Sequence, residues 1–187
     1  MTSAATEAVV RLGVLGAAGR MGRAVVLAAA EAGHPIVAAV GRGDALGRDV
    51  GTLAGLDPIG VPIVEDLEAL AAADVVVDFS LPGVAEKLFE QAAVWNTPVV
   101  TGTTGFDSAD AHDRLAEKVA LVAAANFSQG VTLLVHLCAV VTEKMGPSFD
   151  PEIVELHHRR KVDAPSGTAL AMAEAVRSVR EARPLHG

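Results

Sequence analysis

The chain has 187 residues, a formal net charge of -8 at pH 7 and an aromatic content of only 3%. This length allows one large domain, or one domain with a small second part. The acidic charge argues against sequence-independent binding of nucleic-acid phosphates, and the scarcity of aromatic side chains argues against stacking on single-stranded bases. We therefore expect no nucleic-acid partner.

The start of the chain lacks the basic segment and apolar core of a secretory signal, and the apolar run at 131–141 is too short to cross a bilayer. Cys138 is the only cysteine, so no disulfide can form within the chain. No spacing among the histidines suggests a metal site. We expect a cytoplasmic protein with no membrane partner and no metal.

Short apolar runs alternate with helical patterns over the first two thirds of the chain. The predicted strands are 11–16, 36–40, 61–64, 75–79, 98–101 and 119–124, and the predicted helices are 21–32, 66–73, 83–95 and 108–117. This alternation is typical of βα units that form a mainly parallel sheet.

The pattern changes after Ser128. A long helix is predicted at 129–145, followed by a strand at 153–158 and a helix that begins near Ser166 or Gly167. We therefore expect a dinucleotide-binding domain over 1–128 and a partial substrate-binding and oligomerisation domain over 129–187.

Three glycines separate the first predicted strand from the first helix. The spacing of Gly16, Gly19 and Gly22 allows a tight turn, the approach of a pyrophosphate to the backbone, and close packing of helix on strand. This pattern is GxxGxxG, whereas GxGxxG is commoner in dinucleotide-binding proteins. The prediction of a bound dinucleotide therefore depends on the position of the glycines between a strand and a helix.

The second predicted strand ends at Gly41 and Arg42. An acidic residue at this point would bind the ribose hydroxyls of NAD, whereas an arginine accommodates the 2′-phosphate of NADP. Gly41 followed by Arg42 favours NADPH. Asp44 could still reach a ribose, and an ordinary solvated arginine is the alternative interpretation of Arg42.

Loops at 101–105 and 124–128 follow two later strands. Ligands of open α/β sheets bind beyond the carboxyl ends of strands, so these loops are candidates for holding a nicotinamide ribose. Gly, Asn and Ser also favour turns that have no function. The segment 78–80 ends another strand, and we interpret it only as part of the lining of this binding site.

The segment 155–169 combines two histidines, three cations and a helix start that contains glycine. Strand alternation places Glu155 and His157 on one face and His158 on the other. Free N–H groups at the helix start favour a carboxylate, and the histidines and Lys161 could supply protons. The alternative is a solvated basic loop.

The motifs at 16–22, 102–106, 124–128 and 155–169 occur in the order found in the 4-hydroxy-tetrahydrodipicolinate (dihydrodipicolinate) reductase family of lysine and diaminopimelate biosynthesis, which the chain resembles. The resemblance implies an α/β fold: an N-terminal Rossmann-type parallel sheet with helices on both faces, followed by an incomplete α+β substrate domain. It also implies NADPH or NADH as cofactor, a small cyclic dicarboxylate as substrate, tetrahydrodipicolinate as product, and a homo-oligomer, which is a tetramer in the family.

The resemblance also implies roles for single residues. His157 corresponds to the catalytic proton donor, and Lys161 to a second donor or a substrate clamp. The substrate-carboxylate contacts correspond to His158, Gly167 and Thr168, with the amide of Ser166 beside them. The cofactor-binding positions correspond to Gly16, Ala17, Ala18, Gly19, Arg20, Met21, Gly41, Arg42, Gly102, Thr103, Thr104, Ala124, Ala125, Asn126 and Phe127.

Members of the family usually continue with further strands beyond the position that corresponds to Gly187. This keeps a second hypothesis open, that of a truncated and catalytically inactive NADP-binding module. A third hypothesis is an unrelated α/β reductase that acts on another carboxylate. The first two differ in one respect, whether bound NADPH is oxidised when substrate is present.

Overall fold

The computed structural model describes residues 8–106, 110–157, 159 and 164–182. The contacts within the chain divide it into two compact units, Met1–Ala124 and Ala125–Gly187.

The described part of the first unit alternates strands with helices. Its strands are β1 (Leu12–Leu15), β2 (Ile36–Val40), β3 (Ile63–Val64), β4 (Val75–Asp78), β5 (Val99–Thr101) and β6 (Leu121–Ala123); its α-helices are α1 (Arg20–Glu31), α2 (Val50–Ala54), α3 (Pro82–Trp95) and α4 (Ala111–Ala116), and Gly43–Ala45 and Leu67–Ala72 form 3₁₀ helices.

The six strands form one sheet in the order β3-β2-β1-β4-β5-β6, and every neighbouring pair is parallel. The carboxyl ends of the strands therefore lie along one edge. The chain runs outward from β1 to β3 and then returns to β4 beside β1, so the strand order reverses between β1 and β4. Ligands bind at such a reversal point in open α/β sheets. The predicted Rossmann-type parallel sheet is confirmed.

Two apolar clusters cover the two faces of this sheet. Neighbouring residues of β1 point to opposite faces, so Val14 packs in one cluster with Val26 of α1, and Leu15 packs in the other with Leu88 of α3. All four side chains are at most 2% exposed. A strand that is buried on both faces reads as a continuous apolar run, which is why β1 and β4 were predictable from sequence.

Two segments of the first unit differ from the prediction. A helix was expected at 66–73, and the structure has a slightly shorter one, Leu67–Ala72, of the 3₁₀ type. Val50–Ala54 forms α2 inside a stretch that was read as a polar connection, and it begins at Asp49, whose side chain accepts the N–H of Thr52 at 3.0 Å. With only five residues, this helix has too few apolar positions to be recognised from periodicity. Its stability depends instead on the cap.

The described part of the second unit contains α5 (Gln129–Met145) and α6 (Gly167–Ala182). The limits of α5 match the predicted helix, and the Oγ of Ser128 caps it by accepting the N–H of Val131 at 3.4 Å. The strand predicted at 153–158 is not formed by the described residues 153–157. A strand needs a neighbour for its ladder, and no described segment pairs with this one. No helix in the described ranges has both the length and the apolar character needed to cross a membrane.

Candidate active site

The turn between β1 and α1 is folded tightly against the sheet. The N–H groups of Gly16 and Ala17 both donate to the carbonyl oxygen of Val40 at 3.0 Å. Gly16 has a φ of +79°, and a Cβ atom there would lie 2.8 Å from the carbonyl carbon of Phe79. Only glycine fits this position, because a side chain would be both strained and in collision with the backbone.

The start of α1 lies directly on this turn. A Cβ atom at Gly22 would lie 2.7 Å from the Cα of Ala17, so glycine is what allows the helix to approach. Gly19 caps α1 without a side-chain bond, and the first turn of the helix contains no acidic residue. The first N–H groups of a helix have no intrahelical partner and lie at its positive end. This cradle fits the pyrophosphate of a dinucleotide. Its remaining predicted members, Ala18, Arg20 and Met21, belong to the same turn and helix start.

The carboxyl end of β2 adjoins the turn. A Cβ atom at Gly41 would lie 3.8 Å from the Cβ of Ala18 and only 2.9 Å from the Cγ2 of Ile63. Ile63 is 1% exposed and cannot easily yield, so an acidic side chain is disfavoured at position 41. Arg42 is exposed directly beside it.

The ends of β4, β5 and β6 lie side by side at the same edge. The N–H of Gly102 donates to the carbonyl oxygen of Asp78 at 2.9 Å, and the N–H of Ala124 donates to that of Thr101 at 3.1 Å. Thr103 is buried, and Thr104 is exposed. The structure therefore brings the predicted loop residues of the first unit to the edge that carries the glycine turn.

Asp78 and Thr101 were placed at this edge from sequence, but the contact between their side chains was not predicted. Asp78 is fully buried, and one of its carboxylate oxygens accepts the hydroxyl of Thr101 at 2.7 Å. A signal was available, because a carboxylate that ends a run of three valines in a buried strand needs specific partners.

In the second unit, the loop at 125–127 leads into α5. Asn126 fixes its turn, because its Oδ1 accepts the N–H of Ser128 at 2.9 Å and its Nδ2 donates to the Ser128 carbonyl at 3.3 Å. A Cβ atom at Gly167 would lie 3.8 Å from the Cβ of Ala125. A predicted cofactor loop and the predicted substrate-binding helix start therefore adjoin within this unit. Phe127, at the end of the loop, is exposed.

Ser166 is buried, and both its backbone N–H and its side-chain oxygen form hydrogen bonds within the second unit. Its N–H donates to Oε1 of Glu155 at 2.9 Å, and its Oγ accepts the N–H of Ala169 at 3.1 Å. Ser166 thus caps α6. The N–H groups of Gly167 and Thr168 lie at the first two helical positions. They have no acceptor within the helix and form part of its positive end.

His157 lies beside the carboxylate that holds this helix start. Its Nδ1 is 3.7 Å from Oε2 of Glu155, so the two residues that alternation placed on one face are in contact. The His157 side chain is 39% exposed and accessible to a bound molecule. His158 and Lys161 lie outside the described residues. Within the described ranges, no group of three His, Cys, Asp or Glu side chains could hold a metal ion.

Two family models match the chain in succession. The model described as "Dihydrodipicolinate reductase, N-terminus" matches residues 10–127, and the one described as "Dihydrodipicolinate reductase, C-terminus" matches residues 130–186. The chain belongs to the dihydrodipicolinate reductase family. The model for the N-terminal part covers all of β1–β6, and the model for the C-terminal part covers α6 and all of α5 except its first residue.

Curated members of the dihydrodipicolinate reductase family are similar over most of this chain. The 4-hydroxy-tetrahydrodipicolinate reductase of Halorhodospira halophila is 48% identical over 171 residues, which are 88% of this chain and 64% of the relative. That of Archaeoglobus fulgidus is 47% identical over 173 residues, 91% of this chain and 66% of the relative. The chain thus spans slightly less than two thirds of the length of these relatives.

Solved structures support the same fold. The dipicolinate-bound dihydrodipicolinate reductase of Paenisporosarcina sp. TG-14 superposes with a TM-score of 0.71 at 26% identity, covering 96% of this chain and 70% of that one. An aspartate semialdehyde dehydrogenase with NADP from Candida albicans has a TM-score of 0.51 at 16% identity, covering 75% of this chain and 48% of that one. The second likeness shows the fold alone.

Proposed function

We propose that this chain reduces 4-hydroxy-tetrahydrodipicolinate to tetrahydrodipicolinate with a reduced pyridine nucleotide, and that the 4-hydroxyl group leaves as water. The observation that carries the proposal is the succession of the two family models, which together account for residues 10–127 and 130–186. The proposed reaction belongs to lysine and diaminopimelate biosynthesis and takes place in the cytoplasm, the compartment in which the free Cys138 stays reduced.

The glycine turn binds the cofactor pyrophosphate in this proposal. The bonds from the Gly16 and Ala17 N–H groups to β2 fix the turn, so the N–H groups at the start of α1 are oriented before the ligand arrives. Gly102, Thr103 and Thr104, together with the loop from Ala124 to Phe127, hold the nicotinamide ribose. A bound NADPH supplies the hydride.

The second unit binds the substrate. The N–H groups of Gly167 and Thr168 donate hydrogen bonds to a substrate carboxylate at the positive end of α6, while Ser166 and Glu155 keep that helix start in place. His158 and Lys161 contact the carboxylates as well. The relative from Paenisporosarcina is bound to dipicolinate, a ring with two carboxylates, and this supports a cyclic dicarboxylate as the substrate class.

The proton in this proposal comes from His157 or Lys161. It is delivered to the ring carbon next to the one that has accepted the hydride, which completes the reduction. The exposed His157 imidazole lies 3.7 Å from Glu155, whose other carboxylate oxygen accepts the N–H of Ser166 at the start of α6, and this supports a proton donor beside the carboxylate site.

NADPH is the proposed cofactor in preference to NADH. Glycine is favoured at position 41, because an acidic side chain there would collide with Ile63. Arg42 provides a cation at the same point. An arginine there suits a ribose 2′-phosphate.

The proposed assembly is a homo-oligomer, and the family resemblance suggests a tetramer. Large apolar side chains exposed on α5, among them Leu133, Leu137 and Val141, support association. Sedimentation of the purified chain at several concentrations tests this part of the proposal.

The activity is tested by following NADPH oxidation at 340 nm with substrate made in the same cuvette by the preceding synthase. We expect absorbance to fall in proportion to the substrate formed, and to stay constant when the synthase is omitted. NADPH binding without oxidation would instead support the inactive NADP-binding module.

A further inference from the structure

Asp78 places a carboxylate at the point where the strand order of the sheet reverses. The residue ends β4 and is fully buried. One carboxylate oxygen accepts the N–H of Ser80 at 2.9 Å, and the other accepts the hydroxyl of Thr101 at 2.7 Å. A buried carboxylate is costly unless hydrogen bonds compensate it, and here the compensating hydroxyl comes from the neighbouring strand β5.

The hydroxyl of Thr101 passes this constraint to the loop after β5. Because it donates to Asp78, the same hydroxyl acts as an acceptor for the N–H of Thr103, at 3.1 Å. The hydroxyl oxygen of Thr103 in turn accepts the N–H of Ser80 at 3.1 Å. These four residues form a closed ring of hydrogen bonds, and Thr101 and Thr103 are at most 6% exposed.

Phe79 connects this ring to the glycine turn. Its N–H donates to the carbonyl of Leu15 at 3.1 Å, and its own carbonyl lies against Gly16. Its ring lies against Gly102, where a Cβ atom would be 2.6 Å from the Phe79 Cδ1. The backbone of the loop after β5 is thus held at a fixed distance from the turn that would bind the pyrophosphate.

The strand order separates the two halves of a dinucleotide. In such a sheet one mononucleotide half lies over the β1-β2 side, where the end of β2 meets the adenosine ribose, and the other lies over the side of β4 and β5. The ring of hydrogen bonds lies entirely on the β4-β5 side.

We propose that Asp78 and Thr101 are positioning residues that hold Gly102–Thr104 in the shape required by the nicotinamide half of the cofactor, and that they leave the binding of the adenosine half unaffected. This inference rests on the proposed function, because it assumes that NADPH binds across this edge.

The test compares two substitutions at one position. Thr101→Val keeps the shape of the side chain but removes the hydroxyl, which leaves one of the two Asp78 carboxylate oxygens without a donor and the Thr103 N–H without an acceptor. Thr101→Ser keeps the hydroxyl. Dissociation constants are measured for NADPH and for adenosine 2′,5′-bisphosphate, which lacks the nicotinamide half.

For Thr101→Val we expect NADPH binding to weaken about tenfold or more, the effect of an unsatisfied buried polar group. Binding of adenosine 2′,5′-bisphosphate should stay within about threefold of wild type, which also shows that the variant is folded. Thr101→Ser should restore NADPH binding. Thr103→Val, which removes the hydroxyl that accepts the Ser80 N–H, should show the same selectivity with a smaller loss.

Three results would overturn the inference. The first is unchanged NADPH binding by Thr101→Val, and the second is an equal loss of both ligands. The third is a wild-type chain that binds adenosine 2′,5′-bisphosphate and NADPH equally tightly, because the nicotinamide half then contributes nothing. A wild-type chain that binds neither ligand would instead refute the proposed function on which the inference rests.

Discussion

The carboxylate of Glu155 contacts two of the groups to which the sequence drew attention. One oxygen accepts the N–H of Ser166, and the other lies 3.7 Å from Nδ1 of His157. Alternation along the chain predicted that Glu155 and His157 share a face. It did not predict the contact with Ser166, because sequence spacing carries no information on how a loop returns to an earlier segment.

Replacement of His157 by glutamine tests its proposed role as proton donor. We expect His157→Gln to lower kcat about 10²–10⁴-fold, the usual range for a lost general acid, with little change in the dissociation constant of NADPH. His136→Gln makes the same chemical change at an exposed position of α5 and should leave kcat near that of wild type. A normal kcat for His157→Gln would remove this residue from the mechanism.

Arg42 tests the proposed cofactor preference. Arg42→Ala should raise the KM for NADPH about tenfold, the cost of one charge-assisted contact to a phosphate, while the KM for NADH changes little. The matched control is Arg114→Ala, which removes an exposed arginine from α4. Equal changes with both nucleotides would show that Arg42 does not contact the 2′-phosphate.

At the scale of elements, the sequence predicted those whose signal is a run of apolar residues. β2 and α5 were predicted to the residue, and β4 to within one. Elements that depend on specific polar contacts were missed. The short helix α2 is an example, because it depends on a cap and has few apolar residues. The ring of hydrogen bonds at Asp78 is another, because its Thr101 partner lies on a different strand.

Asp49 determines the fold of the connection between β2 and β3. Besides capping α2, its carboxylate accepts the N–H groups of Ile59, Gly60 and Val61 at 2.8–3.2 Å. Hydrogen bonds from the backbone, first that of Thr52 and then these three, lower the pKa of the Asp49 carboxyl. A carboxylate with a lowered pKa stabilises the fold above the ordinary pKa of about 3.9, and this contribution is lost as the pH falls through the folded-state pKa.

Substitution by asparagine should therefore have an effect that depends on pH. We expect Asp49→Asn to have a lower Tm than wild type at pH 7, and the difference to shrink as the pH falls below about 4 and through the lowered folded-state pKa, where the wild-type carboxylate itself becomes protonated. Circular dichroism melting curves at a series of pH values measure this. Asp57→Asn, in the same connection but outside this set of bonds, is the control. A Tm difference that is independent of pH would contradict the role of the charge.

At the scale of the whole molecule, the buried apolar residues are unequally distributed. Among the described residues, nearly all the buried apolar side chains belong to the first unit, and Ala169 is the one that belongs to the second. No residue of α5 is buried. Since local stability follows buried apolar contacts, the chain should not unfold as one cooperative whole.

Hydrogen exchange tests this expectation. Amide protons of β1 and β4 should exchange at least about 100-fold more slowly than those in the middle of α5, because local opening of a helix without buried residues is far less costly than opening the sheet. Equal protection in the two units would show that α5 gains its stability elsewhere, for example by association of copies. Repeating the measurement at lower protein concentration separates these two cases.

The contact between positions 41 and 63 constrains how coenzyme choice can change during evolution. A Cβ atom at position 41 would lie 2.9 Å from the Ile63 Cγ2. An acidic residue at position 41, which would bind the hydroxyls of an unphosphorylated ribose, is therefore sterically disfavoured as long as residue 63 of β3 is isoleucine. The two sites are therefore epistatic. A lineage that adapts to NADH would first have to replace Ile63 by a residue with a smaller side chain, and only then would an aspartate or glutamate at position 41 be beneficial.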